Sequence, residues 1–129
     1  MSDPDSSSRR VGEVLEALEE VIASRRGDSP DRSYTSRLLA GGVPQAGAKV
    51  TEEAEELVRA AAAEPTDRVV AEAADLIYHA LVLLACRDVP LASVGAELAR
   101  RFGVSGLAEK AARTSAPPQA APATAGGNP

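Results

Sequence analysis

From Val69 to Cys86 the chain reads VVAEAADLIYHALVLLAC. A run with so few polar positions belongs in a core, yet it contains Glu72 and Asp75, and a buried carboxylate without a partner costs several kcal/mol. Something must neutralise these acids, and a divalent cation is the economical candidate. A second acidic cluster lies about one helix earlier, Glu52-Glu53-Ala54-Glu55-Glu56. Two acidic helices that share a cation point towards phosphate chemistry.

The spacing of apolar residues predicts five helical segments and no strand. Val11, Leu15, Leu18 and Ile22 recur on one face of a first helix that ends near Gly27. A loop of turn formers follows, then a short helix over Thr35 to Ala40. A third helix runs from about Pro44 to Ala63. Pro65-Thr66-Asp67 reads as a stop followed by a new N-cap, which opens a fourth helix from Thr66 to Arg87. Pro90 opens a fifth, with Leu91, Val94, Leu98 and Phe102 on one side.

Placed at about 100° per residue, Val50, Ala54, Leu57 and Ala61 form the buried seam of the third helix. Glu52, Glu53 and Glu56 fall on one arc beside that seam, with Lys49 among them, whereas Glu55 points away to water. On the fourth helix Leu76, Ala80, Ala73, Leu84, Ile77, Val70 and Leu81 cover most of the circumference. Glu72, Asp75 and His79 share a single stripe at roughly 240° to 300° from Val69. Two antiparallel helices can therefore set Glu53 and Glu56 opposite Glu72 and Asp75. Four oxygen donors without cysteine suit a hard ion, Mg²⁺ or Mn²⁺. Salt bridges to Lys49, Arg59 or Arg68 are the structural alternative for the same acids. His79 reads as a hydrogen-bonded core or interface histidine, and Cys86 as a small buried hydrophobe. A di-iron bundle would need two Glu-x-x-His elements, and the chain has a single histidine.

Composition narrows the class. The 129 residues support one folded domain over 11–113, between a polar segment at 1–10 and a Pro/Ala/Gly-rich tail at 114–129, both expected to be disordered. With no Trp, one Phe and two Tyr, the core must be aliphatic. Such a short helix pair cannot bury its nearly all-apolar fourth helix alone, so a homodimer is expected. The net charge of −5 argues against nonspecific nucleic-acid binding. No basic-then-apolar leader is present, and Glu72 and Asp75 spoil the longest apolar run as a membrane span, so the expected location is the cytoplasm. One cysteine excludes a disulfide framework.

The pattern Glu52-Glu53-Ala54-Glu55-Glu56 followed by Glu72-Ala73-Ala74-Asp75 resembles the all-α nucleoside triphosphate pyrophosphohydrolases, which include MazG-type enzymes and dimeric dUTPases. Ser33-Tyr34-Thr35-Ser36-Arg37-Leu38, Lys49-Val50-Thr51-Glu52-Glu53 and Asp75-Leu76-Ile77-Tyr78-His79 narrow it: together they are similar to the phosphoribosyl-ATP pyrophosphohydrolases of histidine biosynthesis. The resemblance covers about Val11 to Arg101, and Ser105–Arg113 is similar to an extension seen in some members. Thr51 departs from the glycine that many members carry before the glutamate pair. The resemblance implies an all-α, MazG-like helical bundle that hydrolyses phosphoribosyl-ATP to phosphoribosyl-AMP and pyrophosphate. Bifunctional relatives add a cyclohydrolase, for which this chain is too short. Glu53, Glu56, Glu72 and Asp75 would hold Mg²⁺, with Glu52 either ligating a second ion or serving as general base. Lys49, Ser33, Tyr34, Thr35 and Arg37 would contact the phosphates or ribose of the substrate. Two other functions fit the acids: a house-cleaning pyrophosphohydrolase of noncanonical nucleotides, and a non-enzymatic helical module that binds a basic partner.

Overall fold

A computed structural model of the chain describes residues 10–103, and every regular element among them is a helix. The chain divides into two compact units, one up to Val89 and one from Pro90 onward. In the first unit, α1 spans Val11–Ser24, α2 spans Tyr34–Ala63 and α3 spans Thr66–Cys86. The second contains α4, Leu91–Phe102. The expected extension at 105–113, the tail at 114–129 and most of the N-terminal segment lie outside the described residues.

The expected count of five helical segments is corrected by α2. Its two halves are a single element interrupted at Gly42, whose φ of 73° is the left-handed region open to glycine. The break takes up one residue, so no loop separates the halves. Pro44 then falls in the first turn of the second half, where its missing N–H has no helical partner to lose. At the other end, Ser33 Oγ accepts the Ser36 N–H at 3.0 Å and caps the helix. Replacing Ser33 by Ala should therefore lower the unfolding free energy by about 1 kcal/mol in a denaturant titration.

The cap expected around Pro65-Thr66-Asp67 takes another form. Pro65 itself occupies the N-cap position without a side-chain bond, while Asp67 places an acid in the first turn of α3, next to the positive end of the helix dipole. The far end of α3 is tied to the end of α1. Arg26 Nη2 donates to the Ala85 carbonyl, one of the terminal acceptors a helix leaves open, and pairs with Asp88 Oδ1 at 2.7 Å.

Helices α2 and α3 provide the principal packing of the first unit, and α1 leans on α3. Tyr34 meets His79 while Glu56 meets Glu72, so the paired positions run in opposite directions and the helices are antiparallel. Ile22, Leu38, Ala46, Ala60, Leu81 and Val82 form the core, small or aliphatic throughout, as the scarcity of aromatics requires. On α3 itself only Glu72, His79, Leu81 and Val82 are buried, whereas Val70 is 62% and Ile77 43% exposed. This is the one helix among the described residues long and apolar enough to cross a membrane. Among the described residues, much of this most apolar helix is open to solvent. In the second unit, Glu97 pairs with Arg100 and Arg101 on α4, and Gly103 closes that helix in the left-handed conformation.

Candidate active site

The antiparallel pairing brings acids from two helices to one place. One carboxylate oxygen from each of Glu53, Glu56 and Glu72 lies within 4.8 Å of the others. Glu53 and Glu72 are buried and Glu56 is half-buried. Asp75, one turn beyond Glu72, is exposed and lies outside this triangle, although its charge acts on Glu72. Glu52 and Glu55 are both exposed, and Glu55 lies on the far side beside Ala54, Val58 and Arg59, as the helical arc requires.

Salt bridges account for part of this arrangement. Lys49 Nζ lies 3.3 Å from Glu52 Oε1 and 3.5 Å from Glu53 Oε2. Arg68 bonds Glu72 Oε2 and approaches Glu64 at 3.7 Å. The pairing is incomplete. Glu53 Oε1 and Glu72 Oε1 are buried without any hydrogen-bond partner. Buried carboxylate oxygens are costly when left bare, and a three-acid cluster with two of them could hold a cation. The donor set fits a hard divalent ion.

The charges respond to this crowding. Burial raises the Glu72 pKa, the Glu56 charge adds to it, Arg68 pulls against it, and Asp75 raises it further. The folded chain thus keeps a proton on Glu72 at pH values where the unfolded chain has lost it. That contribution to stability is fully present below the ordinary value of 4.5 and is lost as pH rises through the raised one. In metal-free buffer, the stability of the Glu72→Gln variant relative to wild type should accordingly increase from about pH 4 to about pH 8. Urea titrations across that range check the sign.

Beside the acids sits a polar and aromatic cluster. His79 is buried; Tyr34 Oη lies 2.8 Å from its Nε2, and the Asp75 carbonyl lies 2.7 Å from its Nδ1. A carbonyl can only accept, so Nδ1 carries the proton, and in the neutral ring Nε2 accepts from the Tyr34 hydroxyl. Burial holds the Tyr34 pKa above its ordinary value, with Lys49 opposing and Tyr78, Glu53 and Glu52 adding, so the donor keeps its proton. Burial also works against the Lys49 charge, but Glu52, Tyr34 and Glu53 outweigh it and raise its pKa. His79 is therefore the hydrogen-bonded core histidine that the sequence suggests.

The other residues singled out before the acids are placed as follows. Thr35 Oγ1 bonds the Tyr78 hydroxyl, and the Tyr78 ring stacks near Tyr34 with centroids 6.3 Å apart. Arg37 lies over the Tyr34 ring at 5.7 Å. Ser33 is occupied in capping α2 and bonds Ser36 Oγ at 2.9 Å. Tyr78 belongs to the motif Asp75-Leu76-Ile77-Tyr78-His79 that carries the resemblance, but the sequence reading gives it no role in the site, although its place one turn after Asp75 and beside His79 signals one. Arg68 enters that reading only as a counter-ion.

Comparison with known proteins identifies the family. Residues 15–102 match the family profile described as phosphoribosyl-ATP pyrophosphohydrolase. A phosphoribosyl-ATP pyrophosphatase of Trichlorobacter lovleyi is 53% identical over 100 residues, which is 78% of this chain and 93% of the relative. That of Novosphingobium aromaticivorans is 52% identical over 103 residues, covering 80% and 96%. That of Agrobacterium fabrum is 52% identical over 99 residues, covering 77% and 92%. With two thirds of its length matched by the profile and near-complete coverage of its relatives, the chain belongs to the phosphoribosyl-ATP pyrophosphohydrolase family.

Proposed function

We propose that the chain hydrolyses phosphoribosyl-ATP to phosphoribosyl-AMP and pyrophosphate, a step of histidine biosynthesis in the cytoplasm. Family membership supplies the substrate, and the two bare buried oxygens of Glu53 and Glu72 carry the placement of the site. Glu53, Glu56 and Glu72, with Asp75 as the fourth acid, hold Mg²⁺. When bound, the ion would offset the negative charge of the phosphates and let the acidic cluster receive them.

The chain's own groups do the rest. Glu52 is exposed and pairs with Lys49 through Oε1, and its carboxylate accepts the proton of the attacking water. Oxygen from that water bonds to phosphorus as the anhydride bond breaks, and pyrophosphate leaves. Lys49 keeps its charge and meets phosphate beside the acids. Tyr34 lies near Lys49 with Arg37 over its ring, and these two side chains receive the rest of the nucleotide. Thr35 and Ser33 face the substrate only if their bonds to Tyr78 and to the helix cap are exchanged.

The test is pyrophosphate release from phosphoribosyl-ATP beside a panel of ordinary and modified nucleoside triphosphates, with and without Mg²⁺. Release from phosphoribosyl-ATP alone is expected. Release only from the other triphosphates would make this a nucleotide clean-up enzyme.

The same reading includes a second copy of the chain. Val70 and Ile77 are the exposed apolar residues of α3, and burying them against a partner follows from the hydrophobic effect. Sedimentation should give twice the monomer mass for the wild type, and Ile77→Glu should shift it towards the monomer.

A further inference from the structure

The two buried acids of the cluster are held in the same way. Each has a basic residue one turn earlier on its own helix, Lys49 before Glu53 and Arg68 before Glu72. In each case the basic side chain takes Oε2, and Oε1 is the buried oxygen left without a partner. A glutamate's terminal torsion is broad, so an unrestrained carboxylate rotates over a wide range. Fixing one oxygen fixes the other.

Arg68 is the better anchored of the two clamps. Its Nη2 bonds Glu72 while its Nε lies 3.7 Å from Glu64, so the guanidinium spans two acids on successive turns. The Arg68 side chain is half-exposed but its partner Glu72 is buried, so the pair offsets part of the cost of burying that carboxylate and also fixes its orientation. We infer that Arg68 is a positioning residue for the divalent-ion site: it pins Glu72 Oε2 and presents Oε1 as the ligand oxygen. This rests on the metal reading of the cluster given above.

Two physical effects of Arg68 on a cation have opposite signs. Its positive charge repels the ion, so a residue serving only as counter-charge would weaken binding, and its removal would tighten it. Its grip on Glu72 pre-organises a ligand, so its removal loosens binding. Groups that orient a metal ligand change affinity by about tenfold to a hundredfold when lost. Lysine at this position keeps the charge but lacks the planar fork that spans two carboxylates.

Mn²⁺ binding to the full chain, read by electron paramagnetic resonance for wild type, Arg68→Lys and Arg68→Gln, separates these effects. Both variants should bind Mn²⁺ about tenfold more weakly while keeping wild-type helicity. Affinity equal to or tighter than wild type in either variant would overturn the assignment, and tighter binding by Arg68→Gln would make Arg68 a counter-charge that the ion displaces. Should Arg68→Gln fail to fold, Arg68→Lys decides by the same criterion. A wild-type protein that binds no Mn²⁺ overturns the metal reading itself, whereas binding that the substitutions leave unchanged overturns only the role of Arg68.

Discussion

Glu53→Gln and Glu72→Gln are each expected to lower kcat by about a thousandfold without loss of the helical fold. The magnitude follows from the several kcal/mol a bound ion contributes to charge stabilisation in the transition state, at about 1.4 kcal/mol per tenfold in rate. The retained fold follows from the burial of these side chains. Each is under one-tenth exposed, and each carries an oxygen that no protein group satisfies. Replacing such a carboxylate with an amide of the same shape removes a desolvated negative charge and the repulsion between neighbouring acids, and the Lys49 and Arg68 partners left behind still reach solvent, so the loss of the ion pair is offset. Measuring kcat and melting temperature on the same preparations tests both halves. Activity lost together with the fold would return the acids to a structural role. Glu55→Gln is the matched control: the residue is exposed on the opposite side of α2 and should leave both quantities unchanged.

Much of this site is legible in the sequence because helical geometry is nearly rigid. With 3.6 residues per turn, the spacing of Glu53 and Glu56 puts both on one arc and sends Glu55 away, and the structure agrees. The apolar run around Glu72 marks it as buried for the same reason. Asp75 is harder to place. It shares the stripe of Glu72 and His79, but it lies at the solvent edge, because the stripe's burial depends on how far α2 covers it. The joining of two expected helices into α2 depends on Gly42 turning within one residue, and a Gly-Gly pair before Val43-Pro44 reads equally well as a loop. Tertiary hydrogen bonds are the least legible. Tyr34 is separated from His79, and Thr35 from Tyr78, by more than forty positions, and nothing in local spacing pairs them. The bond between Ser33 and Ser36 is local, yet the resemblance gave Ser33 to the substrate because a hydroxyl serves equally as cap and as ligand.

Chelation of divalent ions should reduce turnover to background and lower the melting temperature, and Mg²⁺ should restore both. An ion that binds only the folded chain stabilises it by about 2.7 kcal/mol at a free concentration one hundred times its dissociation constant. For a domain of roughly this size, each 1 kcal/mol moves the melting temperature by about 4–8 °C, so the shift should be of the order of 10–20 °C. This response distinguishes the metal site from the salt bridges that share its residues. Lys49 and Arg68 neutralise their acids whether or not an ion is present, so a purely ion-paired cluster would melt at one temperature in chelator and in Mg²⁺. The shift should also depend on the individual acids. Glu72→Gln removes a buried oxygen ligand and should abolish most of it, while Glu55→Gln should keep all of it. A helical module whose acids receive a basic protein partner would give neither result, because a diffuse acidic surface binds Mg²⁺ weakly and does not single out one carboxylate.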